Sequence, residues 1–547
     1  MRKRVVKVAA GCMAVMLMFG MAGCGGGEAA TDIPSEESTI QESEEKETGE
    51  KESTEKEPVT LEWYYRGNGQ QEDTELVEQR VNELLKSYPG LEHVTINLNC
   101  STSSEYREHV TLAQSAGQQI DILNSVSLDF YGEVENGSYM PLDDLISDEL
   151  RAELPEWLWK MGSVDGKIYM VPNYQQACNM GYLFTPKEYM DKYGDYDRIV
   201  SVLTDTESSY EEKMTVMEEY LEAVREGEGE NKYLPSLPSR VLSESGTQGF
   251  YFRNYFDTLT GDFIVEADSG KVTYKYATEM AEHLCELSAK WYDEGYIHPD
   301  VLTIEASELR YENMLNPTSW ILSYNGAIGD PDTVAETYKN EWGFEVVAIP
   351  TQPQYYIQNS WAAGGNGISS TCEHPEEAIR FIEALTTGTE KGKEIYNTMV
   401  FGIEGVHYIK DENDPERIET LEYSGAQGGI DTSYAAMKWI IGNTFYAYKN
   451  QSVSDENSAI AREVNEGDNT ITSNLVGFVV NTDSVSTQLD QIKAVTTEYR
   501  DTLLQGVLGE AGWKACYDEY MEKLKVAGID EVTEEFQRQL DEFLAAQ

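Results

Sequence analysis

Apolar and polar positions alternate from Val59 to Tyr65 and stop at Gly67, Asn68 and Gly69, which is the two-residue period of a strand followed by a turn. Val77, Val81, Leu84 and Leu85 then recur at helical spacing until Pro89 and Gly90 end the run. His93 to Leu98 reads as a second strand, residues 105–116 as a helix and Gln119 to Leu123 as a third strand. This order predicts an α/β body with parallel pairing through right-handed crossovers. Ligands of open α/β sheets sit beyond the carboxyl ends of the strands. Tyr64, Tyr65, Gly67, Asn68, Asn124 and Ser125 therefore border a candidate cleft.

Later segments are more helical. Met280, Leu284, Leu287 and Trp291 form one apolar face that ends near Gly295. Pro375 opens another helix, with Glu376 and Glu377 complementing its dipole and Ala378, Ile379, Ile382 and Leu385 on its face. Three terminal helices are predicted near 486–505, 513–527 and 531–545, carried by Leu489, Ile492, Tyr499 and Leu503, then Trp513, Tyr517, Met521 and Leu524, then Val532, Phe536, Leu540 and Phe543.

The amino terminus breaks this pattern. Arg2, Lys3, Arg4 and Lys7 precede sixteen uncharged residues, Val8 to Gly23. That run is short for a helix crossing about 30 Å of hydrocarbon and suits a secretory leader. Residues 28–57 hold twelve acidic side chains and three Lys with almost nothing apolar. Such a stretch cannot bury enough surface to offset its ordering entropy, and reads as an acidic tether over 24–58.

Charge narrows the partners. The chain has 547 residues, 98 Asp and Glu against 41 Lys and Arg, and a net charge of −57. No clustered basic surface is available to track phosphates, which argues against nucleic acid. After Cys12 and Cys24, the remaining cysteines are Cys100, Cys178, Cys285, Cys372 and Cys516, widely spaced and never CxxC. They read as mostly buried free thiols. The six His show no paired ligand spacing, so no metal and no cofactor is expected. The glycine run Gly364, Gly365, Gly367 reads as a turn without the Lys of a phosphate loop.

Several segments resemble one family. Met21-Ala22-Gly23-Cys24 resembles a bacterial lipobox, which implies cleavage after residue 23 and a lipid on Cys24. Asp165 to Pro172 (DGKIYMVP), Met180 to Phe184 and Lys187 to Gly194 (KEYMDKYG) resemble consecutive segments of the extracellular solute-binding proteins of ABC transporters. Trp291 to Asp300, Trp342 to Pro350, Gly364 to Ser370 and His374 to Ala378 extend the match in order. Tyr396 to Tyr408, and Gly477 to Leu540, resemble a carbohydrate-type subgroup whose terminal region has no known function.

The resemblance implies a two-lobed, periplasmic-binding-protein-like clamshell with hinge strands and additional C-terminal helices. By analogy the first lobe takes 59–177 and 360–405, the second takes 178–350 and 406–485, and 486–547 forms the helical terminus. Expected partners are a small solute, most simply a carbohydrate, the transmembrane subunits of an ABC permease, and the membrane through the lipid; a monomer is expected. Pyranose C–H faces pack on aromatic rings and their hydroxyls need paired donors and acceptors. The stacking candidates are Trp63, Tyr64, Tyr65, Tyr174, Trp320, Tyr324, Trp361 and Trp439, and the polar candidates are Asn68, Asp121, Asn124, Gln175, Asn325 and Asn443. For Trp63, burial within a strand competes with stacking, and for Asp121, the capping of a turn competes with ligand contact. A peptide or modified amine is the alternative ligand. A surface glycoside hydrolase with paired carboxylates is a weaker reading, because among 98 acidic residues some pair always looks suitable.

Overall fold

A computed structural model describes residues 56–229, 232, 256–266, 269–303, 321–359, 364–422, 432–450 and 455–546. The leader, Cys24 and the acidic tether as far as Glu55 lie outside these residues. The Val59–Arg66 and Val94–Ser101 strands pair in parallel from Val59 opposite Val94 to Arg66 opposite Ser101. Ile122–Asn124 adds in parallel on the other side of the first strand. The sheet order is 94–101, 59–66, 122–124, 365–368, 171–172. The Gly365–Ile368 strand runs antiparallel to Ile122–Asn124, having returned from the far part of the chain.

That strand corrects the reading of the glycine run as a turn. A Cβ on Gly365 would lie 2.5 Å from the Val171 carbonyl oxygen, and one on Gly367 2.5 Å from the Tyr139 ring. The glycines therefore serve close packing inside a sheet.

The second sheet centres on Met180–Pro186, with Ser323–Ala327 and Val346–Pro350 antiparallel on either side. Alternation along the central strand sends Tyr182 and Phe184 into the core shared with the first sheet, and Leu183 into a second core. The Pro331–Trp342 helix packs on the first of these faces through Val334, Tyr338 and Trp342. The second core is built on the Glu279–Asp293 helix and the terminal helices Ser486–Leu504, Gly509–Val526 and Ile529–Ala546. The apolar spacing of these three helices is what buries Ile492, Tyr499, Leu503, Trp513, Tyr517, Leu524, Val532, Phe536 and Leu540. The Tyr355–Ile357 and Thr470–Thr472 strands pair in parallel at the junction of the two halves. Cys100, Cys178, Cys285 and Cys372 are buried free thiols, and Cys516 is half-buried. Among the described residues, no helix is long and apolar enough to cross a membrane, and no group of three or more His, Cys, Asp or Glu is placed to hold a metal.

Several described residues of 406–450, a segment placed by analogy in the second lobe, bond to the turn and helix start that follow the first strand. Asn68 Nδ2 and Gln71 Nε2 both donate to the Ala435 carbonyl, at 2.8 and 2.9 Å. Asp73 Oδ2 accepts from Ser433 and from His407 Nε2–H. The Tyr434 side chain, 1% exposed, is buried in the core of the first sheet. Local sequence carries no trace of these pairings, because their partners lie more than three hundred positions apart.

His407 shows how tightly this segment is held. Its ring is fully buried, Nδ1 accepts the Ile403 N–H at 2.8 Å, and Nε2–H faces Asp73 at 3.3 Å, which fixes a neutral tautomer. Burial outweighs the Asp73 carboxylate and holds the imidazole below its ordinary 6.5. As pH falls through about 6.5 the unfolded ring takes a proton that the folded ring refuses, so stability drops with falling pH. The wild-type thermal midpoint is expected to decline more steeply than that of His407→Gln between about pH 7 and about pH 5. Parallel declines would show that this ring does not titrate on unfolding.

Candidate functional site

The carboxyl ends of the first-sheet strands meet the 433–446 segment, and here three asparagines form a buried network. Asn124 Nδ2 donates to Asn366 Oδ1 at 3.0 Å and to the Gly365 carbonyl at 3.1 Å. Asn366 Nδ2 reaches Asn173 Oδ1 at 3.2 Å, and Asn173 Nδ2 reaches the Ile440 carbonyl at 2.9 Å. Trp63 Nε1 completes the network by donating to Asn366 Oδ1 at 3.1 Å.

This geometry places several candidates in the core instead of at a binding surface. Trp63 is fully buried, edge-on to Phe381 and 4.5 Å from the Tyr65 ring. Tyr65 is likewise enclosed, and burial pushes its phenol well up. Both lie on the strand face covered by helices, in one core with Val77, Val81 and Phe381. Asn124 spends its amide on the network. Asp121, fully buried, accepts from the Glu62 N–H and from Gln119 Nε2, both at 2.7 Å, so it caps the chain where the third strand begins. Tyr174, fully buried, donates its hydroxyl to Glu466 and meets Phe445 edge-on. Asn443, also fully buried, donates to Glu153 Oε1 at 3.1 Å and to the Thr386 carbonyl. Gln175 is half-buried, and its carbonyl accepts from Asn465 Nδ2 at 2.7 Å.

The remaining candidates keep some access. Tyr64 is half-buried on the opposite face of its strand, its hydroxyl 3.4 Å from Gln118 Oε1. Asn68 is half-buried beside Ala435. Trp439 is half-buried, with the Arg66 guanidinium 5.2 Å from its ring centroid. Lys438 beside it is exposed, yet desolvation holds its ammonium below the ordinary lysine range. Arg66, Asn68, Lys438 and Trp439 are thus the accessible residues at this end of the sheet. Tyr324 and Asn325 lie on the Ser323–Ala327 strand, opposite Leu183 and Tyr182. Trp320 and Trp361 lie outside the described residues.

The second sheet ends in a cavity of about 650 Å³. Its walls come from the carboxyl ends of both outer strands, at Gly329 to Pro331 and at Pro350 to Pro353, and from Met180, Tyr182, Tyr355 and residues 460–470. The floor is buried: Met180, Tyr182, Gln352 and Tyr355 are at most 6% exposed, whereas Asp330, Glu463, Asp468 and Asn469 on the rim are exposed. The Tyr182 and Tyr355 hydroxyls both donate to the Gly329 carbonyl, at 2.7 and 3.2 Å, and hold the turn above the floor. Asp330 caps the helix that follows, accepting from the Asp332 and Thr333 amides, and these bonds hold its carboxyl below the usual range. A cavity of this size, apolar at its base with a few convergent polar groups, suits a small organic ligand. Sequence reading missed Tyr182, Gln352 and Tyr355. The available signal was Asp330-Pro331 and Pro350 to Pro353, which mark strand ends at a helix start and a turn.

Trp63→Ala separates core from platform. It is expected to cost about 3–5 kcal/mol in urea unfolding, as for other buried Trp, and to leave the solute affinity of the folded protein unchanged. A loss of affinity without a loss of stability would return Trp63 to the binding surface.

Known proteins resemble this chain over most of its length. Residues 474–545 match the domain of unknown function DUF3502. Over 460 residues the chain is 26% identical to a protein of Streptococcus pneumoniae named carbohydrate ABC transporter substrate-binding protein, covering 80% of this chain and 82% of the relative. The crystal structure of the N-glycan transport solute-binding protein NgtS of the same organism matches with a TM-score of 0.67 and 21% identity, over 89% of this chain and 99% of that one. NgtS in complex with Man1GlcNAc matches with a TM-score of 0.57 and the same 21% identity, over 89% of this chain and all of the other. The chain thus shares the two-lobed fold of these solute-binding proteins, is similar in sequence to a carbohydrate ABC transporter substrate-binding protein, and ends in a region that matches DUF3502.

Proposed function

We propose that this protein is the substrate-binding lipoprotein of an ABC importer, held outside the cytoplasmic membrane by a lipid on Cys24. It captures an oligosaccharide between its lobes and delivers it to the permease. The observation that carries the reading is the cavity at the carboxyl ends of the second-sheet strands, in a fold whose relatives are named for glycan capture. Around it stand two tyrosine rings, an amide at Gln352, and polar rim groups at Asn469 and Thr470. Rings suit the C–H faces of a pyranose, and mixed donors and acceptors suit its hydroxyls. On the first lobe, Trp439 beside Arg66 is the accessible aromatic and takes the stacking role, with Asn68 as its polar neighbour. Tyr324, Asn325, Trp320 and Trp361 remain proposed ligand contacts.

A modified amine or a peptide is the second reading. Asp330, Glu463 and Asp468 line the cavity and, among the described residues, no Lys, Arg or His does, a field that favours cationic groups.

A thermal-shift screen with oligosaccharides, amines and peptide pools tests both readings. A binding glycan at about a hundred times its Kd is expected to stabilise the protein by about 2.7 kcal/mol and to be recovered intact. Shortened products would indicate a hydrolase, and a shift with peptides alone would replace the sugar reading. Trp439→Ala is expected to weaken glycan binding by about 1–3 kcal/mol, as loss of a large aromatic contact does. Unchanged affinity there, and in Trp320→Ala and Trp361→Ala, would remove the aromatic platform. Cys24→Ala is expected to release the protein into the medium; retention on the membrane would count against the anchor.

A further inference from the structure

The start of the DUF3502 region does more than lead into the terminal helices. Asp257, 1% exposed, sits where the two halves join and accepts three hydrogen bonds. They come from the Tyr356 hydroxyl at 2.8 Å, the Asn359 N–H at 2.6 Å and the Ser473 hydroxyl at 2.8 Å. Tyr356 and Asn359 lie on the chain that returns toward the first sheet, whose strand resumes at Gly365. Ser473 immediately precedes the DUF3502 region, and its own N–H donates to the Ile357 carbonyl at 2.9 Å. Asn359 then holds the next turn, accepting the Gly477 N–H at 2.9 Å and donating to the Phe478 carbonyl.

The same turn touches the first lobe. The Tyr131 hydroxyl donates to the Gly477 carbonyl at 3.3 Å. Gly477 has φ +91° and packs so closely that a Cβ there would lie 2.9 Å from the Lys160 carbonyl oxygen. Neighbouring side chains divide between the cores: Val476 enters the core that holds the first sheet, while Leu475 and Phe478 enter the core of the terminal helices. One short strap is therefore bonded to the hinge strand, anchored in the second core, and seated against two helices of the first lobe.

We propose that Ser473 to Phe478 is a clasp across the hinge, through which the DUF3502 region restricts the angle between the lobes. Asp257 is its anchor and Tyr131 its catch. None of these residues lines the cavity, so the clasp acts on closure and not on ligand contact. The inference needs two lobes that move, and does not depend on which solute they hold.

Single-molecule energy transfer in the full-length protein tests it. Dyes are placed through azide-bearing residues at the exposed positions Glu108, on the first lobe, and Thr206, on the second, leaving the native thiols untouched. Tyr131→Phe and Gly477→Ala are each expected to broaden the ligand-free distance distribution, and Tyr131→Phe to do so with an unchanged thermal midpoint. Asp257→Asn is expected to broaden it further. Should Gly477→Ala or Asp257→Asn fail to fold, Tyr131→Phe decides alone. An unchanged distribution in folded Tyr131→Phe would overturn the clasp. A broadened distribution in a protein that binds no glycan would uphold the clasp and defeat the sugar reading.

Discussion

A chain that passes between two lobes must bury polar backbone wherever it crosses, and every such group needs a partner. An unpaired buried donor or acceptor costs about 1–3 kcal/mol, so a few failures would cancel the stability of a whole domain. This protein meets the requirement with side-chain amides and carboxylates that replace backbone ladders. Asn124, Asn173 and Asn366 receive the 440–441 segment at the first sheet. Asn465 receives the first crossing, accepting the Ala177 N–H and donating to the Gln175 carbonyl. Asp257 and Asn359 receive the return crossing and the strap. The position of the two lobes, and of any cleft between them, depends on these junctions.

The same constraint explains what was legible in the sequence. Periodicity located the elements, because it reports only which face of a segment is buried. Val77, Val81 and Leu85 are buried as their spacing implies, and Pro375 opens the helix expected of it. The terminal helices fall within a few residues of their predicted limits. Long-range pairing was not legible. Trp63 finds Asn366 across 303 positions, and Asn443 finds Glu153 across 290. Neither residue differs in local context from one that faces a ligand. Strand ends looked like cleft walls at Asn124 and Asp121, but the chain had already committed those groups to its own backbone.

Composition is a poor guide to the ligand for a related reason. An excess of Tyr over Phe, 35 to 14, suits a sugar-binding surface, yet much of it is interior. Tyr106 donates to the Asn124 carbonyl at 2.6 Å, Tyr396 to the Lys438 carbonyl at 3.0 Å, and Tyr434 to the Met399 carbonyl at 2.7 Å, all from buried rings. A buried Phe would fill the same space and leave those carbonyls unpaired. The phenol is the side chain that packs like an aromatic and still reaches a carbonyl near the end of a strand or helix. In a protein with many irregular crossings, Tyr is selected by the hinge as well as by the ligand.

The cavity shows both pressures at one place. Tyr182 and Tyr355 line its floor while their hydroxyls hold the Gly329 turn. That turn starts the Pro331–Trp342 helix, whose Val334, Tyr338 and Trp342 reach the core beneath the first sheet. A guest settling on the floor therefore presses on residues already tied to the hinge strand at Tyr355 and, through its neighbour Tyr356, to Asp257. If a guest settles there and the strap restrains the hinge, binding and lobe angle are joined by two adjacent tyrosines on one short strand, Tyr355 at the cavity and Tyr356 at Asp257. Alternation along that strand enforces the division, since successive side chains must point to opposite faces.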